Sequence, residues 1–182
     1  MGPEAGKGTG MATTEIYTHN NVYQHFQVLK TNRNKRYRAG EFFVEGVRSI
    51  NEAVARGWHV RSFVFGGGRL SDWADKLLRT VRTEMNYRLT EELLQELSGK
   101  TDTSELMAVI EMREDKLQRS LLSDNPFIVL FDRPSNRGNL GTMIRSCDAL
   151  GADFLIMTGH GVDLYDPDVV VSAMGSFFKL PV

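Results

Sequence analysis

The chain has 182 residues, 41% of them apolar and 25% charged, a composition that supports a packed core and excludes a disordered polar chain. Its formal net charge of −1 excludes a protein that holds nucleic acid by bulk charge alone, so any such role needs a local basic patch. Cys147 is the single cysteine, which excludes a disulfide scaffold and suits a reducing, cytoplasmic compartment, and no apolar run approaches the roughly 20 residues of a membrane span.

In chain order, residues 1–21 read as a disordered leader, because Met1–Gly10 contains four glycines and a proline. Gly6-Lys7-Gly8-Thr9-Gly10 lacks the spacing of a phosphate-binding loop and has no strand before it. Lys30, Arg33, Lys35, Arg36 and Arg38 then form a basic run with no acidic residue, with Tyr37 among them. These are candidate phosphate ligands beside a stacking ring, or equally a solvated basic turn.

Glu41–Glu45 is predicted as a strand closed by Gly46, and Val47, Ile50 and Val54 mark a helix ending at Gly57. Val60–Phe65 is a second strand, broken by Gly66–Gly68. Trp73, Leu77, Leu78 and Val81 mark another helix, Thr90 caps one that runs to Leu97, and Leu106–Met112 is a strand. This alternation implies an α/β unit over residues 22–115. A charged, helical connector is expected over Glu114–Ser123, with residues 116–125 as linker and Asp124-Asn125-Pro126 as its end.

Residues 126–182 open with Phe127–Phe131, an unbroken apolar run expected of a strand buried on both faces of a parallel sheet. A helix over Leu140–Leu150 and a second buried strand, Phe154–Met157, follow, and Asp166-Pro167 has the form of a helix N-cap and first turn. Between the first strand and its helix lies Asp132–Arg145, the place where open parallel sheets bind ligands. There Gly138 is expected to permit a tight turn and Asn139 to cap the helix. Leu140, Ile144 and Cys147 face the sheet, so Cys147 reads as core rather than nucleophile. Arg145 stands one residue off that stripe, free for a ligand or for an i,i+3 salt bridge to Asp148. Gly138 and Gly141 supply only part of a dinucleotide fingerprint.

Asn139-Leu140-Gly141-x-x-Ile144-Arg145-Ser146-x-x-Ala149-x-Gly151-Ala152 closely resembles the first signature of the SpoU/TrmH-type RNA ribose methyltransferases of the SPOUT superfamily. Asp163-x-Tyr165-Asp166-Pro167-x-Val169-Val170-x-Ser172-Ala173-x-Gly175-Ser176-x-Phe178-x-Leu180-Pro181-Val182 resembles its continuation. The resemblance implies a small α/β RNA-binding domain followed by the first part of an α/β-knot domain that works as a homodimer. It implies transfer of a methyl group from S-adenosylmethionine to a ribose 2′-hydroxyl of rRNA or tRNA, and it places Arg145 and Asn139 at the family's catalytic positions. An arginine stays protonated, so the role implied for Arg145 is to bind the adjacent phosphate and stabilise the developing oxyanion, with Asn139 orienting that arginine or the ribose.

The family's two remaining signatures, which form most of the S-adenosylmethionine pocket, are expected beyond Val182. Residues 1–182 alone are therefore expected to be an inactive fragment that binds the cofactor poorly. A non-catalytic RNA-binding module is the alternative reading. His19, His25, His59 and His160 are too scattered for a zinc site, and Asp163, Asp166 and Asp168 fit a loop and cap better than a magnesium site, so no metal is expected.

Overall fold

The computed structural model describes residues 11–114 and 116–182. Its elements in order are β1 (Thr13–Ile16), α1 (Asn21–Thr31), α2 (Arg33–Ala39), β2 (Glu41–Glu45), α3 (Val47–Ala55), β3 (Val60–Gly66), α4 (Asp72–Thr80), β4 (Asn86–Leu89), α5 (Glu91–Ser98) and β5 (Leu106–Glu111). After a 3-10 turn at Arg119–Leu121 come β6 (Ile128–Asp132), α6 (Arg137–Ala149), β7 (Phe154–Thr158), α7 (Pro167–Ser172) and a second 3-10 turn at Ser176–Phe178.

The first five strands form one sheet in the order β1-β4-β3-β5-β2. β1 and β3 run parallel to β4, whereas β5 runs antiparallel to both β2 and β3. β6 and β7 make a separate parallel pair, with Ile128 opposite Phe154 and Asp132 opposite Thr158; α6 is the crossover between them. Local chemistry sets the helix limits. Asn20, Asn32, Ser71 and Thr90 accept backbone N–H bonds at the starts of α1, α2, α4 and α5, each satisfying an otherwise orphaned donor.

One face of the larger sheet, with Phe43, Val64, Met107 and Val109, packs against α1 and α5 through Tyr23, Phe26, Leu29, Leu93 and Leu97. The opposite face belongs to an apolar cluster that also contains Leu140, Ile144, Leu155, Val169 and Phe178 from the second unit. Phe42 and Trp58 meet Phe177 and Phe178 there in edge-on and tilted contacts, and the Trp58 indole N–H donates to the Phe178 carbonyl at 3.1 Å. The two sheets are thus docked through a shared core.

Several expectations need correction. The leader assigned to residues 1–21 is part of the fold from Thr13, because β1 pairs along β4 and buries Ile16; Met1–Gly10 lies outside the described residues. Over residues 116–123 the connector is not helical but irregular around its 3-10 turn, and Asp153 holds its end by accepting from the Ser123 and Phe127 amides at 2.8 Å. β6 is not buried on both faces. Val129 and Phe131 turn to the core, while Leu130 is 64% exposed, since among the described residues β7 is the only strand beside β6. In β7 the first two residues alone are fully buried.

α7 crosses α6 at Gly141, where a Cβ would lie 1.9 Å from Ser172 Oγ and 2.8 Å from the Ala173 backbone nitrogen. Backbone cannot give way as a flexible side chain does. Gly141→Ala is therefore expected to separate the helices at a cost of about 1–3 kcal/mol, read as a lower denaturant midpoint; an unchanged midpoint would contradict this packing.

Candidate functional site

Asp132 ends β6, and its carboxylate accepts from Thr158 Oγ1 at 2.8 Å across the strand pair. Arg133 follows with φ +47°, a conformation costly for a non-glycine residue, and its amide donates to the Thr158 carbonyl at 2.8 Å. The helix begins three residues earlier than expected. Asn136, not Asn139, is the cap, and its side chain accepts from the Asn139 amide at 2.9 Å. Gly138 accordingly sits inside the first turn of α6 and makes no tight turn. The correction leaves the exposed Asn139 side chain without a hydrogen-bond partner among the described residues.

Arg145 lies further along α6, exposed and likewise without a hydrogen-bond or ion-pair partner among the described residues. The alternative salt bridge to Asp148 does not form, because Asp148 is bound to Ser176 Oγ at 2.7 Å and Lys179 Nζ at 2.8 Å. Burial would raise the Asp148 carboxyl, but those two hydrogen bonds and the charges of Lys179 and Arg56 outweigh it and hold the group below its ordinary value. Arg145 lines a polar groove of about 430 Å³ together with Arg48, Thr142, Ser146, Asp148 and Ser176. Asn139 is outside that lining. Six residues of α-helix separate the two side chains by about 9 Å of rise and about 120°, so Asn139 is not placed to orient Arg145 directly. Burial also raises the Cys147 thiol, in keeping with a core position and not a nucleophile.

The structure divides the basic run and removes Arg36 from it. Arg36 is only 2% exposed, and it donates through Nε and Nη2 to Asp163 Oδ2 at 2.8 and 2.6 Å and through Nη1 to the Leu29 carbonyl at 2.8 Å. Asp166 stands 3.7 Å from the same guanidinium. Arg36 is therefore a buried docking residue between the two units and not a phosphate ligand. Lys30 is turned onto the end of α5, donating to the Leu97 and Ser98 carbonyls, and burial lowers its ammonium despite the nearby Glu45. Arg33 donates to the Gly161 carbonyl at 3.1 Å and lies over the Tyr37 ring. Of the five, Lys35 and Arg38 remain exposed and without described partners. Arg48, by contrast, was unmarked in the sequence: it is a single arginine on a helix with no neighbouring motif.

Asp163 and Asp166, weighed as metal ligands, are occupied by Arg36 and Arg137, the latter 3.0 Å from Asp166. Beside the C-terminal end of β7, an open groove of about 580 Å³ is lined by Met157, Gly159, Gly161, Val162, Arg33 and Tyr37. No acidic side chain lines it, and its one charged side chain is Arg33. The lining offers a sulfonium no acidic side chain and offers a carboxylate only Arg33. Among the described residues no helix is long and apolar enough to cross a membrane.

Comparison with known proteins gives a consistent result. The family model described as SpoU L30e-like domain matches residues 20–108, and the one described as SpoU rRNA Methylase family matches residues 126–182. The chain is 50% identical over 172 residues to the 23S rRNA (uridine(2479)-2′-O)-methyltransferase of Streptomyces viridochromogenes, covering 93% of this chain and 60% of that protein. It is 26% identical to the 23S rRNA (guanosine(2553)-2′-O)-methyltransferase RlmP of Bacillus subtilis (strain 168), over 82% of this chain and 56% of the relative. The crystal structure of the SpoU methyltransferase AviRb from Streptomyces viridochromogenes matches with a TM-score of 0.80 at 50% identity, over 89% of this chain and 60% of that one. The same protein in complex with AdoMet matches with a TM-score of 0.79. The chain thus spans about 60% of the length of the Streptomyces relative. With two models of one family in order along it, and with a relative sharing half its residues, the chain belongs to the SpoU/TrmH-type RNA methyltransferases, a member of the SpoU rRNA Methylase family.

Proposed function

We propose that the protein carrying this chain is an S-adenosylmethionine-dependent rRNA ribose 2′-O-methyltransferase, cytoplasmic and homodimeric, with Arg145 at its reactive centre. The observation that carries the reading is the position of Arg145: exposed, without a partner, and in a polar groove on the helix that bears the family signature. A guanidinium cannot act as the base. It binds the phosphate next to the target ribose and holds positive charge where the 2′-oxygen becomes anionic. Asn139, with its side-chain amide free at the start of α6, hydrogen-bonds the ribose. Residues 22–115 serve as the RNA-gripping unit and 126–182 as the reactive unit, joined by the linker 116–125; Lys35 and Arg38 are the members of the basic run left for phosphate. Exposed Leu150, Val171 and Met174 on and beside α6 and α7 offer apolar surface for a second copy.

A non-catalytic RNA-binding module is the second reading, favoured by one observation: the groove beside β7 has no acidic side chain in its lining. Labelled methyl transfer separates the two. Incubation of the intact protein with S-adenosylmethionine carrying a labelled methyl and with 23S rRNA is expected to label the RNA. RNA that is bound but stays unlabelled would favour the module.

A further inference from the structure

We infer that Arg48, on helix α3 of the RNA-gripping unit, is a second phosphate-binding residue that shares the groove with Arg145 and clamps the RNA backbone from the opposite side. The inference rests on the reading of the protein as an RNA methyltransferase and adds a substrate contact from the other unit. Arg48 and Arg145 both line the groove, and neither has a hydrogen bond or ion pair among the described residues. Arg56, Arg61, Arg79, Arg88 and Arg137 are paired with Glu52, Glu41, Asp75, Glu15 and Asp166, and the unpaired Arg38, Arg69, Arg82 and Arg119 line no groove with Arg145; Arg48 is set apart by sharing one. Two unpaired guanidiniums in one groove repel each other until an anion lies between them.

The rest of the groove supports the same ligand. Asp148 is the one carboxylate in its lining, and Lys179 and Ser176 already hold it. Two positive charges therefore remain uncompensated. Thr142 and Ser146 add hydroxyl donors of the kind that phosphate oxygens accept from. Arginine forks pair with phosphate in bidentate fashion. A single contact also explains how α3 comes so near the groove. Gly175 has φ +93°, and a Cβ there would lie 2.8 Å from Glu52 Cγ and 3.7 Å from Arg48 Cγ. The bare backbone at 175 lets α3 approach the second unit, with Glu52 and Arg48 on the side that faces it. One unit then supplies Arg48 and the other Arg145, so an RNA strand lying in the groove would be held by both units at once.

The test is binding of a 23S rRNA fragment to the intact protein without cofactor, measured across a series of salt concentrations. Arg48→Ala is expected to weaken binding about tenfold and to lower the slope of log affinity against log salt by about 0.7–0.9, the signature of one lost phosphate contact. Arg48→Lys should restore most of the slope, and Arg82→Ala, which removes an unpaired arginine outside the groove, should leave it nearly unchanged. If the unaltered protein binds and Arg48→Ala matches it in affinity and slope, the Arg48 contact is wrong while the methyltransferase reading stands. If the unaltered protein does not bind RNA, both fall together.

Discussion

Arg36→Ala is expected to destabilise the protein by about 3–5 kcal/mol, the usual result of removing one partner from a buried ion pair. The magnitude follows from what is left behind. Asp163 is itself buried, and without Arg36 it loses two charge-assisted hydrogen bonds, while the Leu29 carbonyl loses its guanidinium donor. Nothing in that pocket rehydrates the carboxylate cheaply. The same change cuts a tie between α2 and the loop before α7, so the shared core loses one of its anchors. Urea unfolding gives the readout as a fall in midpoint. The Arg36→Ala/Asp163→Ala double variant should lose less than the two single losses added together. An Arg36→Ala midpoint within error of the unaltered protein would mean that the pair does not dock the two units.

Arg145→Ala is expected to behave in the opposite way. The side chain is exposed and unpaired, so its removal should leave stability within about 0.5 kcal/mol. Methyl transfer to 23S rRNA should nevertheless fall at least about 10²–10³-fold, the range seen when a donor to a developing oxyanion is lost. Single-turnover transfer and thermal unfolding, measured on the same preparation, separate the two effects. Arg145→Lys should recover only part of the rate, because an ammonium keeps the charge without the planar fork. Undiminished transfer by Arg145→Ala would remove this residue from the reactive centre.

These two arginines also show which parts of the molecule could be read from the chain. Strands β2, β3 and β5 and helices α3 to α5 were legible because apolar spacing and local caps such as Thr90 and Gly99 coincide with the structure. β1 and β4 were not, being four residues each with part of their length exposed; their register comes from pairing with each other across the sheet. α1 was missed because it mixes Gln24, His25 and Gln27 with its buried Tyr23, Phe26 and Leu29. β6 reads as doubly buried by composition, yet burial depends on which strands lie beside it. The candidate site divides in the same manner. The exposed position of Arg145 off the buried stripe was legible because that stripe lies within one short helix. The fate of Arg36 was not, since its partner Asp163 is 127 positions away, and a charge run in sequence carries no information about a partner at that distance. The start of α6 turned on a choice between Asn136 and Asn139, which have identical capping chemistry.

The most direct test of the account is the chemical position of the methyl group that the intact protein transfers to 23S rRNA. After alkaline hydrolysis, a 2′-O-methyl blocks cleavage at its own nucleotide, so the label should emerge in an alkali-resistant dinucleotide and nowhere else. Label on a base, or in mononucleotides, would contradict ribose chemistry at Arg145.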